Sequence, residues 1–428
     1  MPKSPPPVQP SPVSVPPTAR YQEKRDAVLA GAARLFNEEG VRGATLSHIA
    51  ASVGLVTSSV TYYYRKKEDL ATACFLRSIA AFDALATRAW AQVGAAARVR
   101  AFYLGLTGLL ADIAEGRHPP LVSFNDIRAL PPTHADEVFA AYTDMFRRTR
   151  GLLKAPDTAA LSRDDLNARA HIVLSVAHWM RAWIDRHEVD HYPRVAERVT
   201  DLVLHGIAAP GVQLAAADAS PPWALGREVA GTSEAFLRAA TMLVNEQGYR
   251  GASVDKISAR LNLTKGSFYH HHDHKDDLIS ACFERSFAVM RQALKQAELA
   301  PGSGWQRACG AARALVHYQL SPDGPLLRTT ATSALPDRAH RGRVRTTMQQ
   351  LGERLTGVLV DGMMDGSIRP LDPAIAAQGV IATINAAAEL HRWLPGVDAA
   401  HIDALYVRPM LEGVLCEQAG AGASAPAG

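Results

Sequence analysis

Two short runs hold most of the side chains able to do chemistry: TSSVTYYYRKK at residues 57–67 and TKGSFYHHHDHK at residues 264–275. Each mixes small hydroxyl residues with phenol or imidazole rings and closes on a lysine. Thr57, Ser58 and Ser59 in the first run, and Gly266 and Ser267 in the second, keep a surface low enough to approach base edges. Tyrosine and histidine rings hydrogen-bond phosphate oxygens. Lys67 and Lys275 each open a helix, where an ammonium and free backbone N–H groups together favour a phosphate. Lys265 can donate to guanine O6 and N7, whereas the Thr57 hydroxyl fits several bases. This is the chemistry of contact rather than of bond-making.

Other constellations are weaker. His270 and His274 are four apart on a helical pattern, but no cysteine or carboxylate cluster joins them, so no metal site is assigned. His178, His187 and His191 lie near Trp179 and Trp183, in a pattern that suits helix packing better than catalysis. The four cysteines, Cys74, Cys282, Cys309 and Cys416, lack metal-type spacing and suit a reducing cytoplasm. No nucleophile–base pair is evident, so no catalytic residue and no cofactor are expected.

The elements that carry the two runs are themselves duplicated. The 39-residue windows beginning at Gly40 and Gly248 match at 16 positions, ungapped, at a constant offset of 208. Upstream, Val28, Leu29, Ala32, Leu35 and Phe36 recur as Phe236, Leu237, Ala240, Leu243 and Val244 at helical spacing. Each of these helices should close on a left-handed glycine, Gly40 or Gly248. Next come a short helix (Leu46 to Val53; Val254 to Leu261), a tight turn marked by Leu55 or Leu263, and a second short helix (Thr57 to Tyr63; Lys265 to His271). Thr45 and Ser253 stand where a hydroxyl caps the first short helix, and Ile49 and Ile257 face inward. This is the helix-turn-helix layout, whose second helix can enter the DNA major groove.

At this point the chain resembles the tetracycline-repressor (TetR) type of bacterial transcription regulator. The usual signature is similar to T…IA…GVSKGTLYHHF…KEEL. It runs almost letter for letter through LTKGSFYHHHDHKDDL and more loosely through LVTSSVTYYYRKKEDL. The resemblance implies that Thr45, Thr61, Tyr62 and Lys67, and Ser253, Tyr269, His270 and Lys275, face phosphates or bases. It also implies a helical effector region after each head, a double-stranded DNA operator and a small-molecule effector of unknown identity. There are departures. Val56 stands where the family has a capping Ser or Thr, Thr61 replaces Tyr, and Asn262 replaces the turn glycine and can take a left-handed conformation.

The 428 residues suffice for two or three domains with full cores. A net charge of +4 excludes a generally basic nucleic-acid binder, leaving local patches. From Arg20 to Ser78 there are nine Lys/Arg against six Asp/Glu, and from Arg227 to Ser286 eight against eight. No apolar run reaches the ~18 residues of a membrane helix, and the proline-rich start is not a signal peptide. The expected organisation is all-α. A disordered tail (1–19) precedes head one (20–66) and effector/dimerisation region one (67–207). A linker (208–227) leads to head two (228–274), region two (275–417) and a second disordered tail (418–428).

Ordinary members of this family pair two chains, whereas here both heads share one. The helices at about 164–207 and 372–415 are expected to form one four-helix interface, giving a pseudo-dimer within the chain. Pairing of two such chains is the alternative. Trp179, Trp183, His391 and Trp393 are candidates for the effector pocket or the dimer helices, and Pro409 should kink or shorten the last helix.

Overall fold

The computed structural model describes residues 19–214, 223–226, 232–248, 251–263, 275–328, 331–332, 335, 338–397 and 399–416. Both expected tails, apart from Ala19, lie outside the described residues, as do parts of the linker. The first unit contains α1 (Ala19–Gly43), α2 (Leu46–Ser52), α3 (Thr57–Tyr63) and α4 (Lys67–Ala89). It continues with α5 (Ala95–Ala114), a 3-10 turn (Phe124–Ala129), α6 (Pro132–Leu152), α7 (Arg163–Met180) and α8 (Tyr192–His205). The second unit repeats this order with α9 (Thr232–Gln247), α10 (Val254–Arg260) and helices Lys275–Leu299, Gly304–Leu320, Arg338–Met364 and Pro373–Ala386. Among the described residues there is no strand, only an isolated bridge between Ala208 and Ile368. The chain is all-α.

Local chemistry sets the boundaries. Gly248, at φ 70°, closes α9, whereas Gly40, at φ 72°, interrupts α1 three residues before its end, and this conformation costs glycine little. The final helical stretch, 399–412, contains a π turn at Asp403–Val407 just before Pro409. Proline has no N–H to donate, and the wider turn lets the Arg408 N–H reach Asp403 O instead. The helical stretch thus runs on through Pro409 to Glu412 by way of the π turn.

Each head packs on a long central helix. The α4 helix is long and apolar enough to cross a membrane, yet it runs through the core of the first unit, burying Leu70, Phe75, Ile79, Phe82 and Leu85. Cys74 and Cys282 are buried at matching positions, and desolvation pushes both thiols up to about 12. They are packing residues, not nucleophiles.

The two units meet through α7 and α8 on one side and the helices at 373–386 and 399–412 on the other. Phe146 and Trp393 stack with ring centroids 3.5 Å apart, and Trp179 Nε1 donates to Gln378 Oε1 at 2.9 Å. Asn167 Nδ2 donates to Trp393 O at 3.0 Å, and buried Arg169 donates to Val414 O at 2.9 Å. Where the last helices end, the backbones cross. Ile207 N donates to Leu411 O at 2.7 Å, and Val414 N donates to Val203 O at 2.8 Å. The crossing needs Gly206 and Gly413, since a Cβ on either would sit 2.1 or 2.3 Å from a carbonyl oxygen of the other unit.

The expected linker begins as a docked segment. Ala209 N donates to Ser367 O, Trp305 Nε1 to Gln213 O and Leu214 N to Glu412 Oε1, so residues 208–214 lie along the second unit.

Candidate nucleic-acid interface

The first head is built by α1 to α3. Buried Ile49 on α2 and Val60 on α3 lock these helices against Val28, Leu29, Ala32 and Phe36 of α1. The Thr45 hydroxyl caps α2 by accepting from His48 N at 3.2 Å and also lies 3.0 Å from Ser47 Oγ. Gly54, at φ 67°, makes the turn, and Leu55 N closes it onto Ala50 O at 2.9 Å. Val56 provides no side-chain cap for α3, as its aliphatic side chain dictates.

Helical spacing then sorts the recognition run. Thr57, Ser58, Thr61 and Tyr62 share one face, i, i+1, i+4 and i+5, directed away from buried Val60. Thr57 and Ser58 are exposed, Ser59 and Thr61 are half-buried, and Tyr62 is 74% exposed. The Thr61 hydroxyl donates to Ser58 O at 3.0 Å. Tyr64 is buried and accepts from Arg25 Nε at 3.1 Å. Tyr21 of α1 packs against Tyr62 and Tyr63 at 6.1 and 4.9 Å between centroids, which braces the exposed phenol. Sequence reading missed Tyr21, whose only signal is an aromatic near the start of α1.

Lys67 stands at the start of α4. Its ammonium turns inward, donating to Arg42 O at 3.2 Å and Ala44 O at 3.0 Å, because the α1–α2 corner offers acceptors within reach. Lys67 therefore ties this corner to α4. Glu68 and Asp69 occupy the first turn of α4, and Asp69 accepts from Lys66 N.

The second head keeps the same frame. Ser253 caps α10 by accepting from Lys256 N at 3.3 Å, Ile257 is fully buried, and Leu263 N closes the turn onto Ser258 O at 3.0 Å. Asn262 holds the left-handed turn at φ 55°, in place of Gly54. Lys265, Gly266, Ser267, Tyr269 and His270 lie outside the described residues. Lys275 begins the helix that follows. The heads approach each other at the α1–α2 corner, where a Cβ on Gly251 would lie 2.6 Å from Arg42 Nη1.

Each head is fastened to its own body by the same two asparagine hydrogen bonds, and a matching serine bond within the body holds the segment that receives them. Asn37 donates to Leu121 O at 2.8 Å and accepts from Ser123 N at 2.9 Å, while Ser78 Oγ accepts from Val122 N at 2.8 Å. In the second unit Asn245 bonds Leu326 O at 2.9 Å and Arg328 N at 3.0 Å, and Ser286 Oγ accepts from Leu327 N at 2.8 Å. The signal was present in the sequence, since Asn37 and Asn245, like Ser78 and Ser286, are identical at the 208-residue offset.

Between the units, Glu389 accepts from Arg128 Nη1 and Nη2 at 3.0 and 3.1 Å, and also from Arg328. Burial pushes the Glu389 carboxyl up, but Arg328, Arg128 and His171 more than offset this and hold it below the usual carboxylate range. The 3-10 turn that supplies Arg128 also touches α9 of the second head.

The four body candidates separate. Trp179 and Trp393 lie in the interface between units, and Trp183 is buried after α7, edge-on to His187. His391 lines a cleft of about 520 Å³ in the second unit. Among the described residues no group of three or more His, Cys, Asp or Glu could hold a metal ion.

The family model described as "Bacterial regulatory proteins, tetR family" matches residues 28–74 and again 236–282. The transposon Tn10 TetC protein of Escherichia coli is 37% identical over 59 residues, which are 14% of this chain and 30% of that protein. Among solved structures, a TetR-family transcriptional regulator from Thermus thermophilus is 22% identical (TM-score 0.36), covering 42% of this chain and 97% of its own. One from Bordetella parapertussis is 19% identical (TM-score 0.37), covering 42% and 94%. A ketosteroid transcriptional regulator from Mycobacterium tuberculosis is 17% identical (TM-score 0.36), covering 43% and 95%.

Proposed function

The chain belongs to the TetR family of bacterial regulatory proteins and carries the family's DNA-binding unit twice; from that premise we propose that it is a ligand-responsive repressor reading an asymmetric operator. The exposed face of α3, with Thr57, Ser58, Thr61 and Tyr62 presented together, carries this reading. A helix with such a low polar face fits the major groove, and the hydroxyls and phenol meet base edges and phosphates. The second head offers Lys265, Gly266 and His270 at the positions of Thr57, Ser58 and Tyr62. Unlike heads favour unlike half-sites, and the half under the second head should depend more on guanine.

The chain works as a pseudo-dimer, with the heads spaced about one DNA turn apart, ~34–36 Å, or somewhat more. Binding of a small molecule in a body shifts this spacing and releases DNA, and by linkage DNA weakens the ligand by the same factor. Selection from a random DNA pool tests the operator. Two different half-sites in fixed order are expected, and inverting one should cost on the order of 1–3 kcal/mol per lost base-specific pair. A strictly palindromic consensus would overturn the reading and point to two chains each lending the same head. Light scattering on the free protein should give a mass near 46.0 kDa; twice that mass would favour paired chains.

A further inference from the structure

We infer that the cleft beneath the linker of the second unit binds an uncharged, largely apolar organic molecule. The inference takes its chemistry from the cleft and rests on the regulator reading for its role. At about 520 Å³ the cleft has the size of a small-molecule site. Its floor is the Gly304–Leu320 helix, with Ala314, His317 and Tyr318, and one wall carries Leu390 and Leu394. The roof is the linker itself, at Trp223, Ala224 and Leu225.

The roof is held at defined points. The Trp223 indole lies on Gly310, where a Cβ would sit 2.7 Å from Cη2. Gly226 N donates to Gln292 Oε1 at 2.9 Å, and Gln292 Nε2 donates to Ala224 O at 3.4 Å. Gly226, at φ 75°, passes flat over Tyr318, since a Cβ there would lie 3.0 Å from the ring. The chain then enters α9, the first helix of the second head, at Thr232. A molecule under this roof thus touches the segment that leads into a DNA-reading head.

Charge pairing indicates the ligand class. His317 Nε2 is 2.9 Å from Asp403 Oδ1, and Asp403 also accepts from Arg313 at 2.8 Å. Asp323 accepts from Arg238 at 2.9 Å. The charges that line the cleft are therefore matched in place, and His391 stands exposed at its edge. A charged ligand would have to break one of these pairs, whereas an uncharged one need only displace water. The first unit differs in kind. At the positions 208 residues before Ala314, His317 and Tyr318 it has Leu106, Leu109 and Leu110, which pack into or against its core.

The test titrates the full-length protein with N-phenyl-1-naphthylamine, which is uncharged, and with 1-anilinonaphthalene-8-sulfonate, the same ring system bearing a sulfonate. One equivalent of the uncharged probe is expected to bind, at least tenfold more tightly than the sulfonate, and to quench tryptophan emission. Ala314→Phe fills the cleft and should weaken the probe at least tenfold. Trp223→Ala removes the roof from a half-exposed position and should weaken it several-fold, so the test survives if the first variant misfolds. Unchanged binding in the folded variants, or tighter binding of the sulfonate, overturns the inference. Gel shifts on the same preparations without probe keep the two readings apart. Retained DNA with failed probe binding sinks the cleft alone, and loss of all DNA binding sinks the regulator reading.

Discussion

The two units hold their heads with the same bonds in different surroundings. Asn37 and Asn245 make identical pairs of hydrogen bonds, yet Asn37 is exposed and Asn245 is buried. Ser123, the residue whose N–H bonds Asn37, becomes Arg328 in the second unit, and that guanidinium reaches Glu389. Glu389 also takes Arg128 of the first unit. The duplicated latch is thus local in the first unit and joined to the interface in the second. Duplication preserved the fastening, and divergence decided what each fastening is connected to.

Removing the shared carboxylate should have the largest effect. Glu389→Gln leaves two largely buried guanidiniums without their anion, and a loss of about 3–5 kcal/mol is expected in urea unfolding. A loss under 1 kcal/mol would mean that the latches are independent. The Asn pair sharpens the comparison next. Asn245→Ala strands the Leu326 carbonyl away from water and should cost about 2–3 kcal/mol, against about 1 kcal/mol for Asn37→Ala, where water substitutes. Equal costs would show that the difference in burial is immaterial.

Acid should weaken the first unit through His178. Burial, with Arg181 and His171 adding, pushes its ring down to about 3, packed edge-on to Phe82 and Phe124. The folded ring stays neutral, so below the ordinary histidine range only the unfolded chain takes up the proton. Stability therefore falls as pH drops from about 6.5 toward 3, by about 2 kcal/mol between pH 6.5 and 5. His178→Phe should flatten that slope in unfolding measured across this range; an unaltered slope would assign the acid lability to other groups.

The smallest effect separates the two lysines that open the long helices. Lys275→Ala should lower the salt slope of DNA binding by about one unit, as loss of one phosphate contact requires. Lys67→Met should leave the slope unchanged and cost about 1–2 kcal/mol of stability, because its ammonium serves backbone carbonyls. A slope change for Lys67→Met would show that the side chain swings outward on DNA.

What the sequence disclosed was local. The bounds of α3, the Thr45 and Ser253 caps and the left-handed Asn262 follow from a few neighbouring residues and were legible. The inward turn of Lys67 depends on carbonyls more than twenty residues away, and the Asn37 latch on a segment beyond residue 120. Such contacts leave no periodicity to read. The duplication could have exposed the latch, since polar residues identical in both copies outside the helix-turn-helix need a reason. The docking of residues 208–214 had no such signal, because their composition is that of any connector.

The glycine crossing has a consequence for heredity. In a pair of identical chains, the residues flanking the two-fold axis are one codon, and any mutation strikes both sides together. Here Gly206 and Gly413 are separate codons, each opposed to a carbonyl of the other unit. A change at either is tested singly, against an unaltered partner, yet neither leaves room for a side chain. The crossing therefore holds both codons to glycine, each for a carbonyl in the other half of the chain, while residues away from it can change in one copy without the other.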